Sequence, residues 1–453
     1  MTIPANPVPA KFGSKVRSRI SAGEPVLSPS LRHRAAELGW VLSGKFALMG
    51  ANAALMLLLA WVMELRRYGL LVAAISSQLL LSRVLLLGVD FGMIRLRGLP
   101  EFRENSGKIV RAGLTVIFYA TSVLAPILMT FWLLSFWLPS MQAPLWLIGS
   151  IFAGAVGMAL VDYNCCCRLS ELQYRAAGLV QSATGLARFV LTGSAAVFFS
   201  AQPHLVFLAY PSAGLLIGLA LTTATWRANP LKPESKVVLR LLRFSLWLGA
   251  TNITIILSLY LGIFILMLLR QEAQTGIFGL SLTVSLGFFA VYNAFGEYVF
   301  PQMARLGNTK DLQRFLTRAL VGALVVASAC VPIVIVIGVI LPRFLRPELR
   351  EMSLSFYFLA ASMLLLIIQA PLEGAFIYLL RPHFVVAVWL LRVVVTLLLG
   401  FVLASEKGAF GAAIAQAGAG LIQLGTCVVI AVIMLSPSVN KDYRARPERD
   451  VDL

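Results

Sequence analysis

Runs of roughly 20 apolar residues, the length that crosses a bilayer's hydrocarbon core as one helix, recur from Trp40 to Leu435. No other feature of the sequence limits the fold as strongly. In lipid every backbone N–H and C=O must be bonded internally, and a helix does this within its own segment. No gap between runs is long enough for a soluble domain, so a large catalytic head is excluded. The chain is read as an all-α, polytopic membrane protein. Of 453 residues, 59% are hydrophobic and 13% charged, against about 25% charged in an ordinary soluble domain.

The runs predict twelve transmembrane helices, over 41–63, 70–90, 112–138, 144–164, 177–199, 205–226, 243–267, 276–300, 315–341, 352–373, 384–404 and 409–435. Charge then sets the orientation. Of the 38 Lys and Arg residues, 27 fall on the side shared by both termini, 7 on the other side and 4 inside the spans. The positive-inside rule places both termini in the cytoplasm, and in a bacterial cell the membrane is the inner one. Residues 1–38 read as a basic, disordered cytoplasmic tail rather than a signal peptide, and 436–453 as a second cytoplasmic tail. The net charge of +18 is spread over short loops, so no nucleic-acid partner is expected. Cys165, Cys166 and Cys167 are adjacent, Cys330 and Cys427 lie in apolar runs, and His33, His204 and His383 are far apart. That spacing holds no metal site, and small side chains packed between helices are expected instead. No cofactor is expected.

The chain carries a weak internal repeat. When Gly69 is set on Gly276, Trp40 falls on Trp247 and Asp90 on Glu297. Each half then has six helices in the same orientation: an N-terminal bundle over 39–226, a cytoplasmic linker over 227–242 and a C-terminal bundle over 243–435.

Four stretches resemble the polysaccharide-exporter branch of the multidrug/oligosaccharidyl-lipid/polysaccharide (MOP) superfamily, which includes the O-antigen flippases. They are ELRRYGLLVAAISSQLLLSRVLLLGVDFGMIRL, FSLWLGATNITIILSLYLGIFILMLL, FGEYVFPQMARL and EKGAFGAAIAQAGAG. The resemblance implies two six-helix bundles facing each other across a central cavity, and alternating access. It also implies an undecaprenyl-pyrophosphate type of lipid-linked oligosaccharide as substrate, for polysaccharide biosynthesis. Membrane lipids, a polysaccharide polymerase and chain-length proteins are the partners it implies. Peptidoglycan-precursor flippases of the superfamily generally have fourteen helices, against the twelve expected here. Its drug/cation antiporters commonly rely on an acidic residue in the first helix, where this chain has Lys45. A cation-coupled drug or small-solute antiporter is the first rival reading, and a membrane-bound polysaccharide polymerase or ligase the second. The longest loop opposite the termini, 342–351, is too short to hold an enzyme's active site. The sequence has no phosphate-binding Gly-x-x-x-x-Gly-Lys-Ser/Thr motif, and the protein is not expected to be an enzyme.

A charge at the bilayer centre costs at least ~2.5 kcal/mol, so it normally faces a cavity or a partner. The spacing of polar residues gives stripes on six helices: Lys45 and Asn52; Ser76, Arg83 and Asp90; Gln181, Thr184, Arg188 and Thr192; Ser362, Gln369 and Glu373; Arg392 and Thr396; Gln416 and Gln423. Moving a bare pyrophosphate through hydrocarbon would cost on the order of tens of kcal/mol. Lys45, Arg83, Arg188 and Arg392 are therefore the expected cavity cations, able to replace its water shell. Asn52, Gln181, Thr184, Gln369, Gln416 and Gln423 are the expected polar lining for sugar hydroxyls. Asp90, Glu297 and Glu373 are assigned to gating or ion coupling, the first two through loop arginines such as Arg95 and Arg305. Asp162 is a weaker coupling candidate. Each has a plainer alternative: Lys45 can snorkel to headgroups, and Arg83 can simply pair with Asp90.

Overall fold

The computed structural model describes residues 31–98, 106–135, 144–171, 173–199, 202–303, 309–378 and 382–435. Residues 1–30 of the expected N-terminal tail, the C-terminal tail 436–453 and the loop residue Arg305 lie outside the described residues; residues 31–38, expected to be disordered, are instead helical, the first turns of a helix that runs on unbroken into the first apolar run. Those described form long helices and no strands: α1 (Leu31–Val62), α2 (Leu65–Leu86), the short α3 (Val89–Gly98), α4 (Ser106–Ser135), α5 (Leu145–Ser170) and α6 (Tyr174–Phe198). Then follow α7 (Pro203–Ala228), α8 (Ser235–Leu268), α9 (Glu272–Met303), α10 (Thr309–Phe344), α11 (Met352–Tyr378) and α12 (Pro382–Leu435).

Ten stretches among the described residues are long and apolar enough to cross a membrane, and one of them, His383–Met434, is 52 residues long. It contains the non-helical Gly408 (φ 55°, ψ −134°), which divides it into two helices, each long enough for one crossing. With α6, which is 25 residues long and carries Arg188, each of the twelve expected crossings has a helix. Helices start and stop alternately on two faces. One, the terminal face, holds the start of α1 and the end of α12; the other is the opposite face.

Two departures from the expected spans matter. The second crossing does not run on to residue 90. It stops at Leu86, because Leu87 (φ 46°) and Gly88 (φ 76°) are both left-handed and turn the chain into α3. Asp90 therefore begins a separate helix, and the seven-residue stripe from Ser76 through Arg83 does not extend to it. The other departure is at Ser235, where α8 begins eight residues before the expected crossing.

The helices pack as two bundles. In the first, α1 lies along α6, α5 along α7 and α2 along α5; in the second, α9 and α12 flank α11, and α8 lies along α12. The seam between them is made by α2 against α8 and α9, and by α3 and α4 against α8. Small residues let the backbones meet there, as is usual between helices in lipid. A Cβ on Gly69 would stand 1.9 Å from the Glu272 carbonyl oxygen, and one on Gly88 would stand 2.4 Å from the Gly249 nitrogen.

Outward-facing surfaces are apolar. On α10, Val325, Ile335 and Val336 are exposed, as expected of a helix whose solvent is lipid. Pro332 and Pro342 sit inside the same helix. Proline is tolerated in membrane helices when neighbours satisfy the freed backbone groups.

Candidate functional site

The four arginine and lysine residues predicted inside the spans have different fates. Lys45 is half-buried on α1. Arg83, near the end of α2, gives its Nη2 to Asp162 Oδ2 of α5 at 3.0 Å and stands 4.0 Å from Asp90 Oδ2 of α3. One guanidinium thus ties together three helices next to the α8 seam. Asp90 is 2% exposed and its Oδ1 has no hydrogen-bond partner. Asp162 proves to be the nearer partner of Arg83, a pairing across two helices that no spacing along the chain could show. Arg95 and Glu297 lie on helices, but their side chains are outside the described residues.

Arg188 lies in the middle of α6 and is 6% exposed. No carboxylate comes within ion-pair distance among the described residues, and its Nε has no hydrogen-bond partner. Its guanidinium carbon stands 5.2 Å from the centroid of the Tyr210 ring on α7, a cation–π contact. One turn on, α7 carries Gly214, where a Cβ would lie 3.0 Å from Arg188 Nη2. The missing side chain leaves the space that the guanidinium fills. On the packed α1–α6 pair, Asn52 Oδ1, Gln181 Oε1 and Thr192 Oγ1 are also buried without partners. Thr184 donates to the Val180 carbonyl of its own helix at 2.8 Å. The first bundle therefore holds polar atoms in lipid-like surroundings whose hydrogen bonds are not made within the protein.

The second bundle ties the same residue types to one another more fully, although Arg392 Nε, Thr396 Oγ1, Gln369 Oε1, Gln416 Oε1 and Gln423 Nε2 are unpartnered there too. Arg392 is fully buried; its Nη1 donates to Gln423 Oε1 at 2.9 Å and its Nη2 to Ser362 Oγ at 2.6 Å. It thereby joins the two limbs of the bent α12 to each other and to α11. Gln416 donates to the Leu259 carbonyl of α8 at 3.0 Å. Glu373 accepts from Tyr292 Oη at 2.6 Å and from Gln369 Nε2 at 2.6 Å. Tyr292 was not singled out from the sequence, because a lone tyrosine in an apolar run gives no sign of its partner.

The three adjacent cysteines are free, and Cys165 and Cys167 are buried. Cys167 Sγ meets Met93 Sδ at 3.5 Å, packing α5 on α3. Among the described residues no group of three or more His, Cys, Asp or Glu side chains is placed to hold a metal ion.

The opposite face is shut across the seam. Gly69 abuts Glu272, Arg66 Nε pairs with Glu272 Oε2 at 3.3 Å, Trp61 Nε1 donates to the Phe344 carbonyl at 3.0 Å, and Arg346 Nη1 donates to the Met63 carbonyl at 3.0 Å.

No family model and no curated protein matches the chain. Solved structures do. A multidrug resistance MATE family transporter of the MOP superfamily, in an inward-facing conformation, is 12% identical, with a TM-score of 0.66 over 87% of this chain and 95% of that one. The lipid II flippase MurJ in an inward closed conformation is 9% identical, with a TM-score of 0.63 over 90% and 93%. The chain has the MOP transporter fold. An outward-facing conformation of a MATE family transporter of the same superfamily scores 0.53, at 13% identity over 88% and 94%. The MOP fold is therefore matched better in its inward-facing arrangement than in its outward-facing one.

Proposed function

We propose that this protein carries an anionic, lipid-anchored glycan across the bacterial inner membrane by alternating access, an isoprenoid-pyrophosphate-linked oligosaccharide destined for polysaccharide. The observation that carries this reading is Arg188, a buried guanidinium without a carboxylate partner among the described residues, set against Tyr210 and the gap at Gly214. An uncompensated buried charge is costly, and a protein keeps one where an opposite charge will arrive. Arginine suits a pyrophosphate because its planar fork grips two oxygens at once. The unpartnered amide oxygens of Asn52 and Gln181 can accept from sugar hydroxyls.

The rival reading as a drug or small-solute cation antiporter has a specific weakness. An organic cation would meet Arg188 in the first bundle, while Asp162 and Glu373 are already engaged by Arg83 and by Tyr292 with Gln369. One neighbour in fold is named a lipid II flippase and others are named multidrug transporters, so the fold by itself does not choose between the two. The charge arrangement favours the anion.

In this reading both termini are cytoplasmic, in line with the 27 to 7 distribution of basic residues. The bundles over 39–226 and 243–435 rock about the seam. The Asp90–Arg83–Asp162 cluster beside the α2–α3 elbow then serves as a latch on the cytoplasmic side. Arg392 holds the second bundle together rather than gripping substrate. The test is reconstitution in liposomes with a fluorescent short-chain isoprenyl-pyrophosphate glycoside. Protein-dependent transbilayer movement is expected, lost in Arg188→Ala and partly kept in Arg188→Lys. Movement of a fluorescent organic cation instead, with the glycoside left in its original leaflet, would overturn the proposal.

A further inference from the structure

The bend in α12 creates a second place where chemistry is concentrated, on the opposite face of the second bundle and far along the chain from Arg188. Breaking a helix leaves carbonyl groups at the end of the first limb and amide groups at the start of the next. Two glutamines near the start of α9 serve these groups. Gln271 Nε2 donates to the Ala404 carbonyl at 3.3 Å, and Gln274 Oε1 accepts from the Ala409 amide at 3.0 Å. Gly408 is required there, because its φ is 55° and a Cβ would lie 2.7 Å from Gln274 Oε1.

Beside this repaired break is a cavity of about 370 Å³, lined by the two glutamines together with Glu351, Ser355, Glu406 and Phe410. That is at the small end of ligand-binding pockets, about 300–1,000 Å³. Its polar inventory is not closed. Ser355 is 1% exposed and its Oγ has no partner, and Gln271 Oε1 is likewise buried and unpartnered. A buried polar atom left unmatched is costly, and each such case calls for a partner. The oxygens, including the two carboxylates, accept hydrogen bonds, Lys407 adds an ammonium donor, and Ile277 and Phe410 provide apolar surface beside them. A ligand that fits must offer several donors, and acceptors for Lys407, around an apolar body, as a hydroxylated ring does.

We propose that this cavity binds a short saccharide, one or two pyranose rings, with hydroxyls on the glutamine, serine and glutamate oxygens and a ring face against Phe410. A metal ion fits less well, since the lining has two carboxylates and lacks the cluster of ligands such an ion needs. The site does not rest on the Arg188 reading, because a sugar pocket can exist in a protein whose cargo is something else. Its location gives occupancy a consequence. Gln271 and Gln274 share the first turns of α9 with Glu272, which abuts Gly69 and pairs with Arg66 across the seam. A bound sugar would therefore sit one helix face away from the contact that closes this side.

The sugar can come from a glycan on a membrane lipid or from a free glycan in solution. Purified full-length protein in nanodiscs is examined by saturation-transfer NMR with three probes: maltotriose, chitotriose and tri-galacturonate. At least one is expected to bind. Ser355→Leu, which fills the cavity, should abolish that binding; Glu406→Gln should weaken it roughly tenfold, the value of one charge-assisted hydrogen bond; and Arg188→Ala should leave it unchanged. The bound trisaccharide is then compared with its own alkyl glycoside inserted in the nanodisc. Tighter binding of the anchored form identifies a lipid-linked glycan, and equal binding a free one, the cavity being the site in both cases. Absence of binding by all three probes overturns the proposal. So does binding that persists in Ser355→Leu. If that variant does not fold, unchanged affinity in Glu406→Gln overturns it instead.

Discussion

Arg188 and Arg392 look alike along the chain and differ in the folded protein. Both lie mid-span, and both have a threonine one turn further on, Thr192 and Thr396. Both guanidinium groups stand over an aromatic ring and leave Nε unpartnered, but in the second bundle the two Nη groups are knitted to Gln423 and Ser362, whereas among the described residues no hydrogen-bond partner meets those of Arg188. A buried arginine whose Nη donors are met by its own bundle is a structural clamp. One whose donors are left open is available to something that comes and goes. What separates them is the neighbouring helix: α7 offers a glycine and a ring, and the second limb of α12 offers an amide oxygen.

The largest effect should come from breaking the clamp. Arg392→Ala leaves Gln423 Oε1 and Ser362 Oγ facing a gap, and removes the positive charge that Glu373 feels. Truncating one member of a buried charged network typically costs about 3–5 kcal/mol, enough to unfold a marginally stable domain. Thermal unfolding in detergent should show a large fall in midpoint and low yield. A variant as stable as the parent would mean that the two arginines are equivalent after all.

Next comes the contrast with Arg188. Arg188→Ala removes a charge that the protein itself does not neutralise, so its midpoint should stay near that of the parent while transport falls by about tenfold or more, the effect of one lost charge-assisted contact. Gly214→Val sharpens the point, because a side chain there collides with Nη2. It should lower transport although Arg188 is intact. Normal transport in both variants would remove Arg188 from the site.

These two arginines also mark how far the sequence could be read. Apolar run lengths and the 27 to 7 distribution of basic residues are properties of single segments and short loops, and every expected crossing has a helix. The polar stripes are likewise visible within one helix. Partners across helices are not: Asp162 for Arg83, Tyr292 for Glu373 and Gln423 for Arg392 lie 79, 81 and 31 residues away. The elbow at Leu87–Gly88 was missed for a related reason. A glycine in an apolar run does not disclose its sign of φ, nor that Gly249 of α8 comes so close that a Cβ there has no room.

A smaller effect is expected at the seam. Gly69→Ala puts a methyl 1.9 Å from the Glu272 carbonyl oxygen, and backbone cannot yield as a flexible side chain can. Overpacking of this kind costs about 1–3 kcal/mol, here charged to the closed opposite face alone. Spin labels on the ends of α1 and α10 should report a longer distance and a larger open population in this variant. An unchanged distribution would show that Gly69 does not set the bundle contact.

The smallest effect belongs to the short connection between the bundles. Glu234, just before α8, accepts from Lys108 Nζ of α4 at 2.5 Å, and Arg111 Nε donates to the Asn229 carbonyl. The hydrogen bond from Lys108, followed by its charge, holds the Glu234 carboxyl below the ordinary carboxylate range. A depressed folded-state value means that the pair contributes fully above the ordinary carboxylate pKa and loses its contribution as pH falls through the depressed one. Because the carboxylate is exposed, salt and water screen the pair. Glu234→Gln should therefore leave the unfolding midpoint unchanged within error at neutral pH. The parent's small advantage, measured at low salt, should shrink further on acidification rather than on raising the pH. A difference that grows as pH falls would mean that the connection to the second bundle is held by something other than this ion pair.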